Sequence, residues 1–155
     1  MPTSESVINI TAALQEAQAA GLIAVSNRRN SQTSSRYANL TDCIEALLPT
    51  MQKLGLGFLQ FLGAIRLEGN LHVAGLTTRL IHKSGEWIET YGEFPLAQPP
   101  VSKSGNQILN WSQNHGLALT YAKRYALVSA FGLATGDDDD AQRLLGAGAP
   151  QQATQ

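Results

Sequence analysis

Thr120, Lys123 and Arg124 put two adjacent cations and a hydroxyl within five positions, a set suited to gripping phosphate. On a helix they gather on one arc, since residues three and four apart share a face. The apolar spacing predicts that helix from about Leu117 to Leu133, so the three fall near its start, where free backbone amides also favour anions. No opposing side chain is expected to bury the cations. A solvated helix edge carries the same residue types, and at this level both readings stand. Tyr121 and Tyr125, four apart, suit either stacking on bases or packing in a core or interface.

Other residues extend the set of candidates. Arg28, Arg29 and Arg36 belong to the polar, aperiodic stretch Ser26 to Arg36, expected to be an exposed loop and either a DNA-touching arm or a solvated one. Arg79 and Lys83 fall on one strand face and either continue the positive track or are ordinary surface charges. Asp137 to Asp140 could hold divalent cations, which would make the chain a metal-dependent nuclease. Four consecutive carboxylates point in several directions, however, and no His or Glu stands at ligand spacing from them, so a solvated charge run is the competing reading. His72, His82 and His115 show no paired spacing and are read as strand or loop residues. No catalytic residue, metal site or required cofactor is assigned, although a divalent cation remains compatible with the acidic run. A duplex-binding regulator would need helix-turn-helix spacing and a strongly basic recognition helix, and the chain offers neither.

Composition sets the frame for these residues. A chain of 155 residues makes about one domain with a single core, expected to have ragged ends. The formal charge is −1, but removing the four aspartates of the run from twelve acidic residues leaves 8 against 11 basic ones, a body of about +3. That balance permits phosphate binding without demanding it. Charged residues make up 15% of the chain, below the roughly 25% of an average soluble domain, which suggests surface hidden against other copies. No apolar run reaches the ~20 residues of a membrane span, and no membrane partner is expected. Cys43 is alone, excluding an internal disulfide, and Met1 to Ser6 lack the order of a secretory signal, so a reducing cytoplasm is expected.

The elements that must position the candidates follow from periodicity. Val7, Ile10, Leu14 and Ala17 predict a first helix, capped by Ser6 and stopped by Gly21. Leu40, Cys43, Ile44, Leu47, Leu48, Met51 and Leu54 predict a second, ended by Gly55 and bent or marked at Pro49. Phe58 to Ile65, Leu71 to His82 and Trp87 to Phe94 then read as three antiparallel strands. A two-residue loop at Ser84 and Gly85 would set Ile81 opposite Ile88 and Arg79 opposite Thr90, with His82 opposite Trp87 and Thr78 opposite Tyr91. Each sheet face would mix polar and apolar groups, so part of one face is expected to line a groove or a subunit contact. A loop from Gln98 to Asn114 leads into the last helix, whose small residues Ala118, Ala122, Ala126, Ser129 and Ala130 form a packing side. The fold class is α+β, a three-stranded antiparallel sheet packed by helices. Residues 1–136 form the single domain, with a core of about 36–136, and 137–155 are the acidic run and a flexible tail.

Leu119-Thr120-Tyr121-Ala122-Lys123-Arg124-Tyr125-Ala126-Leu127, then Phe131-Gly132-Leu133-Ala134 and the aspartate run, resembles the signature of the ERF family of phage single-strand annealing proteins. Arg36-Tyr37-Ala38-Asn39-Leu40, Leu54-Gly55-Leu56, Gln60 and His82-Lys83-Ser84-Gly85-Glu86-Trp87 stand in the family's order and at similar spacing. The likeness covers Arg36 to Asp140. The chain departs from the pattern in the long loop from Gln98 to Asn114 and in the short tail after Asp140.

The resemblance implies a β-β-β-α core like that of the eukaryotic break-repair annealing protein. It also implies annealing of complementary single-stranded DNA in phage or prophage recombination, without nucleotide hydrolysis and without a catalytic residue. Lys123 and Arg124 would hold the strand, with Thr120 and Tyr121 beside them. Several subunits arrayed in a ring or filament would give a continuous basic groove in the bacterial cytoplasm. A host single-strand-binding protein or a phage exonuclease would be a natural partner.

Overall fold

The computed structural model describes residues 1–21, 23–24, 38–69, 71–96, 98, 104–105, 108 and 110–135. The helices are α1 (Ile8–Ala19), α2 (Leu40–Leu54) and α3 (Trp111–Phe131). The strands are β1 (Ile23–Ala24), β2 (Leu56–Glu68), β3 (Leu71–His82), β4 (Trp87–Leu96) and β5 (Ala134–Thr135). The order β2-β3-β4 makes one antiparallel sheet, and β1 pairs with β5 in parallel. This is an α+β fold with β-β-β-α order at its centre.

Local signals fix most of these elements. The Asn39 side chain accepts the Asp42 N–H while the Asp42 carboxylate accepts the Asn39 N–H, so α2 starts in a capping box. Cys43, Leu47 and Met51 are buried along one side, and Gly55 ends the helix at φ +69, a conformation that costs glycine nothing. The helix runs through Pro49, giving up the one ladder bond its nitrogen cannot donate. Ile10 and Ala17 of α1 are buried as the spacing predicts. Ser6 is not the cap. The start of α1 is closed instead by the Glu86 carboxylate, which accepts the Ile10 N–H at 2.8 Å, Asn9 Nδ2 at 2.9 Å and Ser6 Oγ at 2.8 Å.

The β3–β4 hairpin differs from its expected register by one residue. The His82 N–H donates to the Glu86 carbonyl and Gly85 sits at φ +89, so the loop has three residues, Lys83 to Gly85. Ile81 therefore faces Trp87, Arg79 faces Glu89, and Thr78 faces Thr90. A one-residue shift exchanges every partner on both faces, which puts a carboxylate where a threonine was expected. Between β2 and β3 the register shifts at Leu62/Ile65, where Gly63 lies against Gly75. A Cβ at Gly63 would meet the Gly75 backbone at 3.3 Å, so glycine permits the close approach.

Helix α3 begins six residues earlier than its apolar spacing implies. Ser112 to Gly116 show no apolar stripe, but the Asn110 side chain accepts the Gln113 N–H and Gln113 returns the bond. This capping box converts the last four residues of the expected loop, Trp111 to Asn114, into helix. His115 is consequently helical, not a strand or loop residue. The amino-terminal end is also more ordered than expected. Ser4 N–H donates to the Trp87 carbonyl and Glu89 N–H to the Pro2 carbonyl, laying the first residues along the outer edge of β4.

One core joins the helices to one face of the sheet. Ile10, Cys43, Leu47, Leu80, Leu127 and Phe131 are its centre. Each such aliphatic or aromatic side chain contributes about 1.5–3 kcal/mol on burial. Among the described residues, no helix is long and apolar enough to cross a membrane.

Candidate nucleic-acid interface

The longer α3 changes the setting of the predicted cations. Thr120 lies nine residues beyond Trp111, over two helical turns from the start. The amide donors of a helix N-terminus are therefore out of reach of Thr120, Lys123 and Arg124, and that part of the expected anion chemistry is corrected. Gln60 adds a polar link between the sheet and this part of the helix. Its Nε2 donates to the Lys123 carbonyl at 3.0 Å and to Thr78 Oγ1 at 3.2 Å, with Thr78 only 1% exposed.

The four predicted α3 residues have distinct environments. Thr120 is exposed, and its Oγ1 donates to the Gly116 carbonyl at 2.8 Å within the helix. Lys123 is half-buried, held through its backbone. Arg124 is not simply an outward cation, contrary to expectation. Its Nη1 donates to the Ala38 carbonyl at 2.8 Å, and its guanidinium carbon lies 4.8 Å from the Tyr125 ring centre and 5.3 Å from that of Tyr121. Burial pushes the nearby Cys43 thiol up from its ordinary pKa, against the pull of the Arg124 charge. Periodicity within one helix carries no signal for a bond to Ala38, because that contact is made only when α2 and α3 pack.

Tyr121 and Tyr125 resolve one open alternative. They are 58% and 48% exposed, so they are not core residues of a single subunit. Their rings lie 4.3 Å apart, tilted by 45°, and Tyr121 Oη donates to Tyr125 Oη at 2.9 Å. The outward side of α3 thus carries an aromatic pair with the Arg124 guanidinium against it, whereas at 100° per residue Lys123 lies on nearly the opposite side of the helix, where Gln60 meets its carbonyl.

Arg79 stands apart from this cluster. Gln60 and Thr78 share the sheet face that meets α3, whereas Arg79, one residue on, occupies the opposite face. There its Nε donates to Glu89 Oε2 at 2.8 Å and its guanidinium carbon lies 4.3 Å over the Trp87 ring. An arginine so paired adds no net charge to a track, and the sheet separates it from Lys123. Lys83 is exposed in the hairpin loop beside Gly55. Arg28, Arg29, Arg36 and Asp137 to Asp140 lie outside the described residues. Among the described residues, no cluster of three His, Cys, Asp or Glu side chains is placed to hold a metal ion. At the start of α3, Ile65, His72, Leu96, Trp111 and His115 line a hollow of about 240 Å³, where His115 Nε2 is buried without a hydrogen-bond partner.

The model of the ERF superfamily matches residues 10–154. The chain belongs to the ERF superfamily. As a member, it stands among recombination and strand-annealing proteins in general, whose partner class is DNA. The match spans the helices, the sheet and the α3 cluster, so the ERF assignment and the β-β-β-α core describe the same residues. A comparison with curated proteins found no match.

Proposed function

We propose that this ERF protein binds single-stranded DNA along the outward side of α3 and anneals complementary strands without nucleotide hydrolysis. The supporting observation is the exposed Tyr121 and Tyr125 pair with Arg124 against it, and Thr120 and Lys123 on the arc of α3 that continues from Arg124. Every base has a π-face, so an aromatic pair holds a strand without reading its sequence, while the cations neutralise phosphate. Two complementary strands repel each other and fold on themselves. A protein that keeps each one extended, with its base edges open, removes both barriers and needs no catalytic residue or cofactor. Copies of the chain set side by side in a ring or filament lengthen the groove. In the bacterial cytoplasm a host single-strand-binding protein or a phage exonuclease would supply the substrate strands.

Annealing of complementary oligonucleotides, with chelator and without nucleotide, tests this directly. The protein is expected to speed duplex formation over the spontaneous rate. An unchanged rate sinks the proposal, and degradation of labelled DNA once magnesium is added would favour a nuclease that uses Asp137 to Asp140 instead.

A further inference from the structure

The hollow at the first turns of α3 has the makings of a ligand site. Its floor is the sheet face that meets α3, where His72 and Leu96 stand opposite each other on β3 and β4 and Ile65 stands on β2. Leu96 is buried, while Ile65 and Trp111 are each 46% exposed. The Trp111 ring meets His72 edge-on, with centroids 5.5 Å apart and planes at 68°. No Asp, Glu, Lys or Arg is among the lining residues. Within this apolar setting His115 Nε2 is buried and, among the described residues, has no hydrogen-bond partner. Buried polar atoms are nearly always bonded, so this one is met by solvent held in the hollow or by a ligand that displaces it.

Trp111 also extends the exposed aromatic side of α3. At 3.6 residues per turn it lies within about 80° of Tyr121 and about 40° of Tyr125, and roughly 15–21 Å back along the axis. A strand stacked on the tyrosines and running toward the start of the helix reaches the mouth of the hollow.

We infer that the hollow takes one nucleobase turned out of a single strand. An apolar cavity of about 150 Å³ accepts a benzene ring, so 240 Å³ accommodates one base and not a stack of two. Ile65 and Leu96 offer apolar contact to the ring, and His115 Nε2 meets its polar edge. An imidazole nitrogen donates or accepts according to tautomer, so the contact does not select one base. The uncharged lining suits a base and not a phosphate. A base in a duplex must be unpaired and unstacked before it can enter, whereas one in a single strand is already free of its partner. The hollow therefore favours unpaired DNA. One base is withdrawn while its neighbours stay open for pairing, and pairing of that base with its complement draws the strand out again. The inference rests on the proposed strand binding at α3 and adds a base site to it.

Photocrosslinking and fluorescence anisotropy with the full chain test the site. A single strand of iodouracil nucleotides, irradiated in the complex and mapped by mass spectrometry, should join to Trp111 or His115 as well as to Tyr121 or Tyr125. Ser112→Phe fills the hollow from an exposed position on its lining. It should abolish the crosslinks at Trp111 and His115, keep those at the tyrosines, and weaken single-strand binding roughly 5-fold to 150-fold, the worth of one stacked base. Duplex binding should not change. His115→Phe keeps a ring and removes the nitrogen, so it should weaken single-strand binding without lowering Tm, since no protein group loses a partner. A lowered Tm would assign the nitrogen to the fold and overturn the inference. Free thymidine should displace the strand only at millimolar concentration, because it lacks the linked contacts on α3. Displacement at the strand's own concentration would make this a free-nucleoside site and also overturn it. Crosslinks confined to the tyrosines overturn the base site and leave strand binding at α3 standing, whereas a strand that does not bind the chain sinks both.

Discussion

Arg124 Nη1 donates to the carbonyl oxygen of Ala38, the residue before the Asn39 cap of α2, and so ties the start of α2 to the middle of α3. Such a bond from a charged donor is worth about 1.5–3 kcal/mol, and the tyrosine contacts add about 0.5–1 kcal/mol. Arg124→Ala should therefore cost about 2 kcal/mol and lower Tm by roughly 4–8 °C. Lys123→Ala keeps the carbonyl that Gln60 uses and should change stability by less than about 0.5 kcal/mol. Calorimetry of the two single variants decides the point. Equal losses would mean that Arg124 is not the clamp.

Gln60 makes a second link of this kind, from β2 to the backbone of α3. In Gln60→Leu the Lys123 carbonyl and the buried Thr78 hydroxyl each lose a donor. An expected cost of about 1–3 kcal/mol follows from stranding Thr78 away from water. Urea unfolding should show a lower midpoint with an unchanged slope, since the exposed area on unfolding stays the same. A midpoint equal to that of the native chain would contradict the link.

Helix α2 was legible from end to end because its signals are local: an apolar stripe from Leu40 to Leu54 and a glycine after it. The start of α3 was not, as Ser112 to Gly116 carry no stripe, yet Asn110 and Gln113 stand at capping-box spacing and could have revealed it. The hairpin shift had no comparable signal. Gly85 serves a two-residue or a three-residue loop equally well, and only pairing with β4 selects between them, which is why Arg79 met Glu89 unannounced. The pairing of β1 with β5 joins Ile23 to Ala134 across most of the chain, and two residues are too few for any pattern. Within the candidate site, helical rotation gave the grouping of Thr120, Lys123 and Arg124. The Ala38 clamp needed tertiary packing.

Acid should weaken the fold through Glu86. Burial pushes its carboxyl up, but hydrogen bonds from Ile10, Ser6 and Asn9 pull it further down, to a net position below the ordinary value of 4.5. A carboxylate depressed in the folded state stabilises above its unfolded pKa, and that contribution disappears as pH falls through the folded value. Tm of the native chain should thus drop on acidification, and Glu86→Gln should flatten part of that drop. Glu93, held down to about 2 by Arg66 and Tyr91, keeps a further acid-sensitive contribution in the variant. Melting curves at a series of pH values check this. An acid limb identical in Glu86→Gln and the native chain would remove Glu86 from the explanation.

Salt separates the two kinds of contact proposed on α3. A lysine that neutralises one phosphate of a single strand adds about 0.7 to the slope of log affinity against log salt. Lys123→Ala should reduce that slope by about this amount. Stacking releases no counterion, so Tyr121→Ala or Tyr125→Ala should weaken binding at every salt concentration and leave the slope alone. Each stacked base is worth about 1–3 kcal/mol, which is roughly 5-fold to 150-fold in affinity. The tyrosines share a hydroxyl bond and a ring contact, so the double variant should lose less than the sum of the singles. Fluorescence anisotropy of a labelled single strand across a salt series measures both quantities. If the tyrosine variants change the slope while Lys123→Ala does not, phosphate is not held where Lys123 stands.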